Sequence, residues 1–175
     1  MKRMRWWTIA VVAVLVALTG CSTPGGNVAA TVNGVPISVA QVEGPVQAIG
    51  VTDGQLAEPN ATVLSYAIRG EIARTLAGQQ NIQLTGAPRS AVLAANAGLA
   101  KYEQDAGAAS FVTDVVDSTI VLNKIGESAF LAAVQQASVQ VNPRFGSWSV
   151  ESASVNQAGG QLSQPWATAS PTPPA

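Results

Sequence analysis

A chain of 175 residues, 47% hydrophobic and 11% charged, is long enough for one domain with a substantial core. Lys2, Arg3 and Arg5 precede an apolar N-terminal segment; without them six basic residues face ten acidic ones, net −4, which gives nucleic acid no electrostatic reason to bind. The sequence has no histidine, the commonest general base and metal ligand, and one cysteine, Cys21, which excludes an intrachain disulfide.

Trp6 to Gly20 follows the basic start without a single charge and is mostly Ala, Val and Leu. A membrane-spanning helix needs about 20 apolar residues, so residues 1–20 read as a secretory signal peptide. The segment ends Leu18-Thr19-Gly20-Cys21, which resembles the lipobox of bacterial lipoproteins. That resemblance implies a diacylglyceryl group on Cys21, the new N-terminus, with a lipid membrane as the partner and an extracytoplasmic location. Two or more acyl chains hold a protein stably, where one does so only marginally. Residues 21–27 then form a lipidated tether, whose six flexible residues from Ser22 to Asn27 span roughly 13 Å, keeping the domain close to the surface.

The clearest β signal lies at Val28 to Ser38. Ala30-Thr31-Val32 and Val35-Pro36-Ile37 flank Asn33-Gly34, the pair that favours a type I′ hairpin turn. Pro36 lacks an N–H and suits an edge. Ser38 with Gln41 forms a capping box for a helix carrying Val39, Val42 and Val46, which Gly44-Pro45 should interrupt. Val51 to Pro59 reads as a loop. From Asn60, whose side-chain oxygen suits an N-cap, to Gln80 runs an amphipathic helix with Leu64, Ile68, Ile72 and Leu76 on one stripe. Arg69, Glu71 and Arg74 sit off that stripe, and Glu71 with Arg74 makes an i,i+3 pair.

Thr85-Gly86 breaks the chain before an Ala-rich helix over Arg89–Gln104. After a break at Asp105–Ser110, Phe111–Ile125 repeats apolar residues at helical spacing and Gly126 ends it. A shorter helix, Glu127–Ala137, turns Phe130, Leu131 and Val134 inward. The period then changes: Val139 and Val141 alternate as in a strand, Asn142-Pro143 turns the chain, and Val150 closes a second short strand. Two marginal ribbons at opposite ends of a helical domain pair most economically with each other. The fold class expected is mostly α, with about five helical segments and a small β-ribbon from the N- and C-terminal parts of a domain at residues 28–151. Residues 152–175, rich in Pro, Ser, Thr and Ala, read as a disordered tail in which Trp166 is a candidate docking point.

Catalytic patterns are lacking. Without histidine, a Ser-Lys pair has only Lys101 and Lys124 to draw on, and neither sits in a recognisable motif. Asp114 and Asp117 share one helix face and read as solvated. Asp53 and Glu58 lie in a loop too poor in acids for calcium, and no glycine run matches a phosphate loop. Arg144 reads as a structural donor to carbonyls. The expectation is a protein without enzymatic activity, metal or cofactor.

Thr31-Val32-Asn33-Gly34-Val35-Pro36-Ile37-Ser38 resembles the start of the N-terminal domain of SurA- and PrsA-type chaperones, where a V-N-G-x-x-I-S/T hairpin leads into a helix. The helix Thr62–Gly78 with Gln80-Asn81-Ile82-Gln83-Leu84-Thr85 resembles the family's next signature, with Asn81 where glycine is usual. Val139 to Gly146 resembles its closing strand. These stretches cover about half of the chain after Cys21. The resemblance implies a helical chaperone-like domain whose two ends pack together. Members often carry a parvulin prolyl isomerase domain between those ends. Here the intervening stretch is short, reads as helices and holds no histidine, so isomerase activity is not carried over. The function expected is a lipid-anchored SurA-like holdase for unfolded or newly exported polypeptides, gripping them in a groove lined by Leu64, Ile68, Ile72 and Phe130. The alternative is a structural or adaptor lipoprotein that holds a folded envelope partner.

Overall fold

The computed structural model describes residues 26–50 and 58–156. The signal peptide, Cys21 with most of its tether, the central part of the first loop and residues 157–175 lie outside the described residues. Strands β1 (Val28–Val32) and β2 (Val35–Ser38) form the hairpin that Asn33-Gly34 dictates, with φ of 50° and 86° at the two turn residues. Thr31 pairs with Pro36 and Val32 with Val35. β2 is an edge strand, so the missing N–H of Pro36 leaves no inner ladder broken.

On its other side β1 pairs antiparallel with β3 (Val139–Val141), Ala30 opposite Val141 and Val32 opposite Val139. A strand from the C-terminal end of the domain therefore joins the N-terminal hairpin in one sheet of order β2-β1-β3. Asn33 clamps the join: its N–H donates to the Ser138 carbonyl at 2.8 Å, and its Oδ1 accepts from the Ser138 N–H at 2.9 Å, across 105 residues of sequence. Asn142 does the same at the other end, donating through Nδ2 to the Val28 carbonyl at 3.0 Å.

Six α-helices lie among the described residues. In α1 (Val39–Pro45) the Ser38–Gln41 capping box is formed, and Pro45 marks the change to a single π-helical turn, Val46–Gly50. The long helix is α2 (Pro59–Gln80). Pro59 occupies its first turn, where a missing N–H costs nothing, so Asn60 lies inside the helix rather than capping it. Asn81 ends α2 with φ 54°, a left-handed conformation that asparagine tolerates best after glycine. The expected helix over Arg89–Gln104 is split into α3 (Ala87–Ala95) and α4 (Ala97–Ala100), because Asn96 leaves helical geometry and its side chain caps α4 through the Leu99 N–H. Helices α5 (Ala109–Ile125) and α6 (Glu127–Gln136) meet at Gly126, φ 84°.

After a 3-10 turn (Pro143–Phe145), β4 (Ser147–Ser149) and β5 (Ser154–Asn156) form a second hairpin. Val150 lies in its turn, 40% exposed, not in a strand. The folded chain also runs past residue 151. β5 packs on α2, where the Val155 N–H donates to Ser65 Oγ at 2.8 Å, and Ser65 Oγ in turn donates to the Ala61 carbonyl at 2.6 Å.

Helix α2 is covered on most of its circumference by α1, α5, α6, β1 and β5. Val63, Ser65, Gly70 and Ala73 are buried along with the Leu64–Ile68–Ile72 stripe, so the helix is a central post and not a one-sided amphipath. A second, smaller cluster of Leu93, Leu99, Val112, Val116 and Ile120 holds α3 and α4 against α5.

Candidate functional site

Leu64 and Ile68 are fully buried, Ile72 is 2% exposed and Phe130 3%. The structure does bring these four expected client-binding residues together, but inside the main core cluster. They therefore do not line an open groove. The physical reason is the closure just described: a helix covered by five neighbours has no free apolar face. Cys21 lies outside the described residues.

What the sequence reading missed is polar. Arg74 on α2 faces three carboxylates at the α2–α5 contact. Its Nη1 donates to Asp114 Oδ1 at 2.8 Å and to Asp117 Oδ2 at 3.2 Å, while Nε and Nη2 grip Glu71 Oε2 at 3.1 and 3.0 Å. Asp114 and Asp117, read as a solvated face, are 8% and 4% exposed. Their burial follows from Gly70. A Cβ there would stand 2.8 Å from Asp114 Cβ and 2.9 Å from its Cα, so only glycine lets α5 approach this closely. The signal was present in α5: Asp114, Asp117, Ser118 and Val121 follow i, i+3, i+4, i+7, the spacing of one inward face, and all four are buried.

One guanidinium cannot neutralise three carboxylates. Burial pushes the Asp114 carboxyl up to about 7, against the opposing pull of Arg74 and with help from the charges of Asp117 and Glu71. Burial raises Asp117 too, against Arg74. For Arg74, burial opposes the charged form, but the hydrogen bonds and charges of Asp114 and Glu71 outweigh it and hold the group above its ordinary value. The cluster is a clasp between two helices with one carboxyl that titrates near neutrality. Glu71–Arg74 was legible as an i,i+3 pair; its two distant partners were not.

Two apolar depressions remain on the surface of the described residues. The first, about 520 Å³, lies between the start of α3 and the end of α5, lined by Ile82, Pro88, Ala91, Val92, Ile120 and Lys124 among others. It shares Ala91, Val92 and Asn123 with a neighbouring hollow of about 300 Å³ that Leu99 and Val115 also line. The second, about 540 Å³, is a cleft between β3 and β4, lined by Val139, Val141, Pro143, Trp148 and Val150. Arg144 beside it does not serve backbone carbonyls as expected: its Nη2 pairs with Glu43 Oε1 at 3.2 Å, and its guanidinium lies over the Phe145 ring. This exposed pair ties the 3-10 turn to α1.

The geometry defines a class: a helical domain built on one central post, its sheet closed by strands from the two ends of the domain. Comparisons with protein-family models, with curated proteins and with solved structures found no match. No helix among the described residues is long and apolar enough to cross a membrane.

Proposed function

We propose that this protein is a bacterial lipoprotein, held at an extracytoplasmic membrane surface through acylated Cys21, that acts as a SurA-like holdase for newly exported polypeptides without isomerase chemistry. The observation that carries the reading is the pair of adjoining depressions between α3 and α5, whose lining includes Ile82, Val92, Leu99, Val115 and Ile120 and a single charged residue, Lys124. It takes the place of the groove expected at Leu64, Ile68, Ile72 and Phe130. The pairing of β1 with β3 is in keeping with the family resemblance, which implies that the two ends of the domain pack together.

Magnitudes suit transient binding. Burying about 200 Å² of client apolar surface gains roughly 5 kcal/mol at ~25 cal/mol per Å². Association itself costs an estimated 4 kcal/mol or more. The net is weak and reversible, which a holdase needs, and anchoring at the membrane supplies the local concentration.

The test is suppression of aggregation of an unfolded protein by the full-length chain at near-stoichiometric ratio. Ala91 is exposed and Val92 half-buried, so Ala91→Glu and Val92→Asp should abolish suppression with helicity retained. A well-folded protein that suppresses nothing sinks the proposal. That outcome favours the adaptor reading, for which the closed core around Leu64, Ile68 and Ile72 already speaks, because it leaves little apolar surface for varied clients.

A further inference from the structure

The depressions between α3 and α5 carry one charge and three uncommitted carboxamides. Lys124, exposed in the last turn of α5, is the single charged residue in their lining. That place suits a cation, because a helix C-terminus carries partial negative charge. Among the described residues, however, no carboxylate pairs with Lys124, whereas Arg74, Arg89 and Arg144 each hold one. An ammonium group without a carboxylate, on a chain of net negative charge, makes this spot complementary to an anion.

Asn81, Gln83 and Asn123 line the same hollow as Lys124 and are exposed. Among the described residues their side chains make no hydrogen bond, while those of Asn33, Asn96 and Asn142 are each committed to backbone groups. A carboxamide accepts through its oxygen and donates through two N–H bonds. Three of them can therefore meet both the N–H and the C=O groups of an extended polypeptide; an alkyl chain would leave them unmatched. Ile82, Val92 and Ile120 in the larger hollow, and Leu99 and Val115 in the smaller, supply apolar contact. Lys124 lines the larger hollow alone.

We propose that these depressions select polypeptide segments that carry a carboxylate beside apolar side chains. Lys124 pairs with the carboxylate, Asn81, Gln83 and Asn123 bond to the segment's backbone, and the apolar side chains rest on Val92 and Ile120. The selection rests on the depressions being the client site of the holdase reading, and it adds a charge rule to that reading. Two sources supply the group, the free C-terminus of a chain and the side chain of Asp or Glu.

Fluorescence anisotropy with the full-length chain held in lipid nanodiscs tests it, against empty nanodiscs. The probe is a short labelled peptide of Val and Leu in three forms: free acid, C-terminal amide, and amide with Glu at the last position. The free acid should bind about three- to fivefold more tightly than the amide, the worth of one exposed ion pair, and the preference should fade toward about 1 M salt. Lys124→Gln should abolish the preference and Lys124→Arg keep it; Asn123→Ala should weaken all three forms alike. These side chains are exposed, so the fold is not at stake. Tight binding of the glutamate form supports the proposal with either source of carboxylate; weak binding of that form supports it with chain ends alone. Equal affinity for acid and amide overturns it, as does a preference that survives Lys124→Gln. Displacement of the peptides by decanoate at lower concentration than by the free-acid peptide also overturns it, because an alkyl carboxylate would then be the ligand. If no peptide binds while the chain still suppresses aggregation, this selection fails and the holdase reading stands; if neither occurs, both fall.

Discussion

Gly70 and Gly78 sit on the same helix, and the same substitution should act on them with opposite sign. At Gly78, exposed in the last turns of α2, an added Cβ meets nothing within 4 Å. Gly78→Ala should therefore show the bare helix-propensity gain, up to about 1 kcal/mol. At Gly70 the same gain is offset by contacts at 2.8 and 2.9 Å to Asp114 Cβ and Cα. Ordinary carbon contact begins near 3.5 Å, so α5 must retreat by roughly 0.7 Å. A gap of that size forfeits a quarter to a half of each dispersion contact along the interface, and it stretches the 2.8 Å Arg74–Asp114 bond. Overpacking alone costs about 1–3 kcal/mol; weakening the hydrogen bonds of a buried charged group adds to it. The net expected for Gly70→Ala is a loss of about 2 kcal/mol, or roughly 6–10 °C in Tm for a domain of this size. Thermal melts of the two variants, followed by circular dichroism, decide it. If both raise Tm, the helix contact at Gly70 is looser than described and the account of Asp114 burial fails with it.

The clasp also predicts a pH dependence. Asp114 binds its proton more tightly folded than unfolded, so this stabilising contribution is present at low pH and is lost as pH rises toward 7. With no histidine in the chain to titrate nearby, urea midpoints should fall from pH 5 to pH 8, and Asp114→Asn should flatten that slope; midpoints that rise with pH would refute it. Asn81 sits at φ 54°, so Asn81→Ala should cost about 1 kcal/mol in chemical denaturation while Asn81→Gly is tolerated; equal losses would count against a left-handed cap. Ser65→Ala removes the acceptor of the buried Val155 N–H, at a cost of about 1–3 kcal/mol, and should speed hydrogen exchange at Val155 well beyond that at Val63.

Local chemistry was legible where a residue type answers to a single backbone need. Asn33-Gly34 specifies the hairpin, Ser38 with Gln41 the start of α1, Gly126 the end of α5, and each stands as read. That the two ends of the domain would meet in a sheet followed from the instability of a lone hairpin, although only β3 joins it and β4 pairs with β5 instead. The misses share a different cause. Asp114 is buried because of a guanidinium 40 residues away and a missing Cβ on a neighbouring helix. Neither shows in the sequence around Asp114. Leu64, Ile68 and Ile72 have the pattern of a stripe that faces one partner, but how many partners surround a helix is a property of the assembled fold. β5 is three residues long, too short for a periodic signal, and is held by contacts to α2 and β4 rather than by its own propensity.

The uneven depth of packing bears on where recognition can occur. α2 contributes ten buried residues and α5 seven, but α3 and α4 contribute one each, Leu93 and Leu99. Both pack chiefly on α5 or on each other, and Asn96 breaks the hydrogen-bond ladder between them. Elements with few buried contacts open at lower free energy than the global fold. Amides from Ser90 to Ala100 should accordingly exchange with solvent far faster than those from Leu64 to Ala73, measured by hydrogen exchange on the full-length chain. The wall of the α3–α5 depression would then be its most yielding part, able to fit apolar segments of different size, while α2 keeps the other wall's support rigid. Equal protection of the two stretches would contradict this: the depression would be a fixed mould, suited to one partner rather than to many, and the adaptor reading would gain what the holdase reading lost.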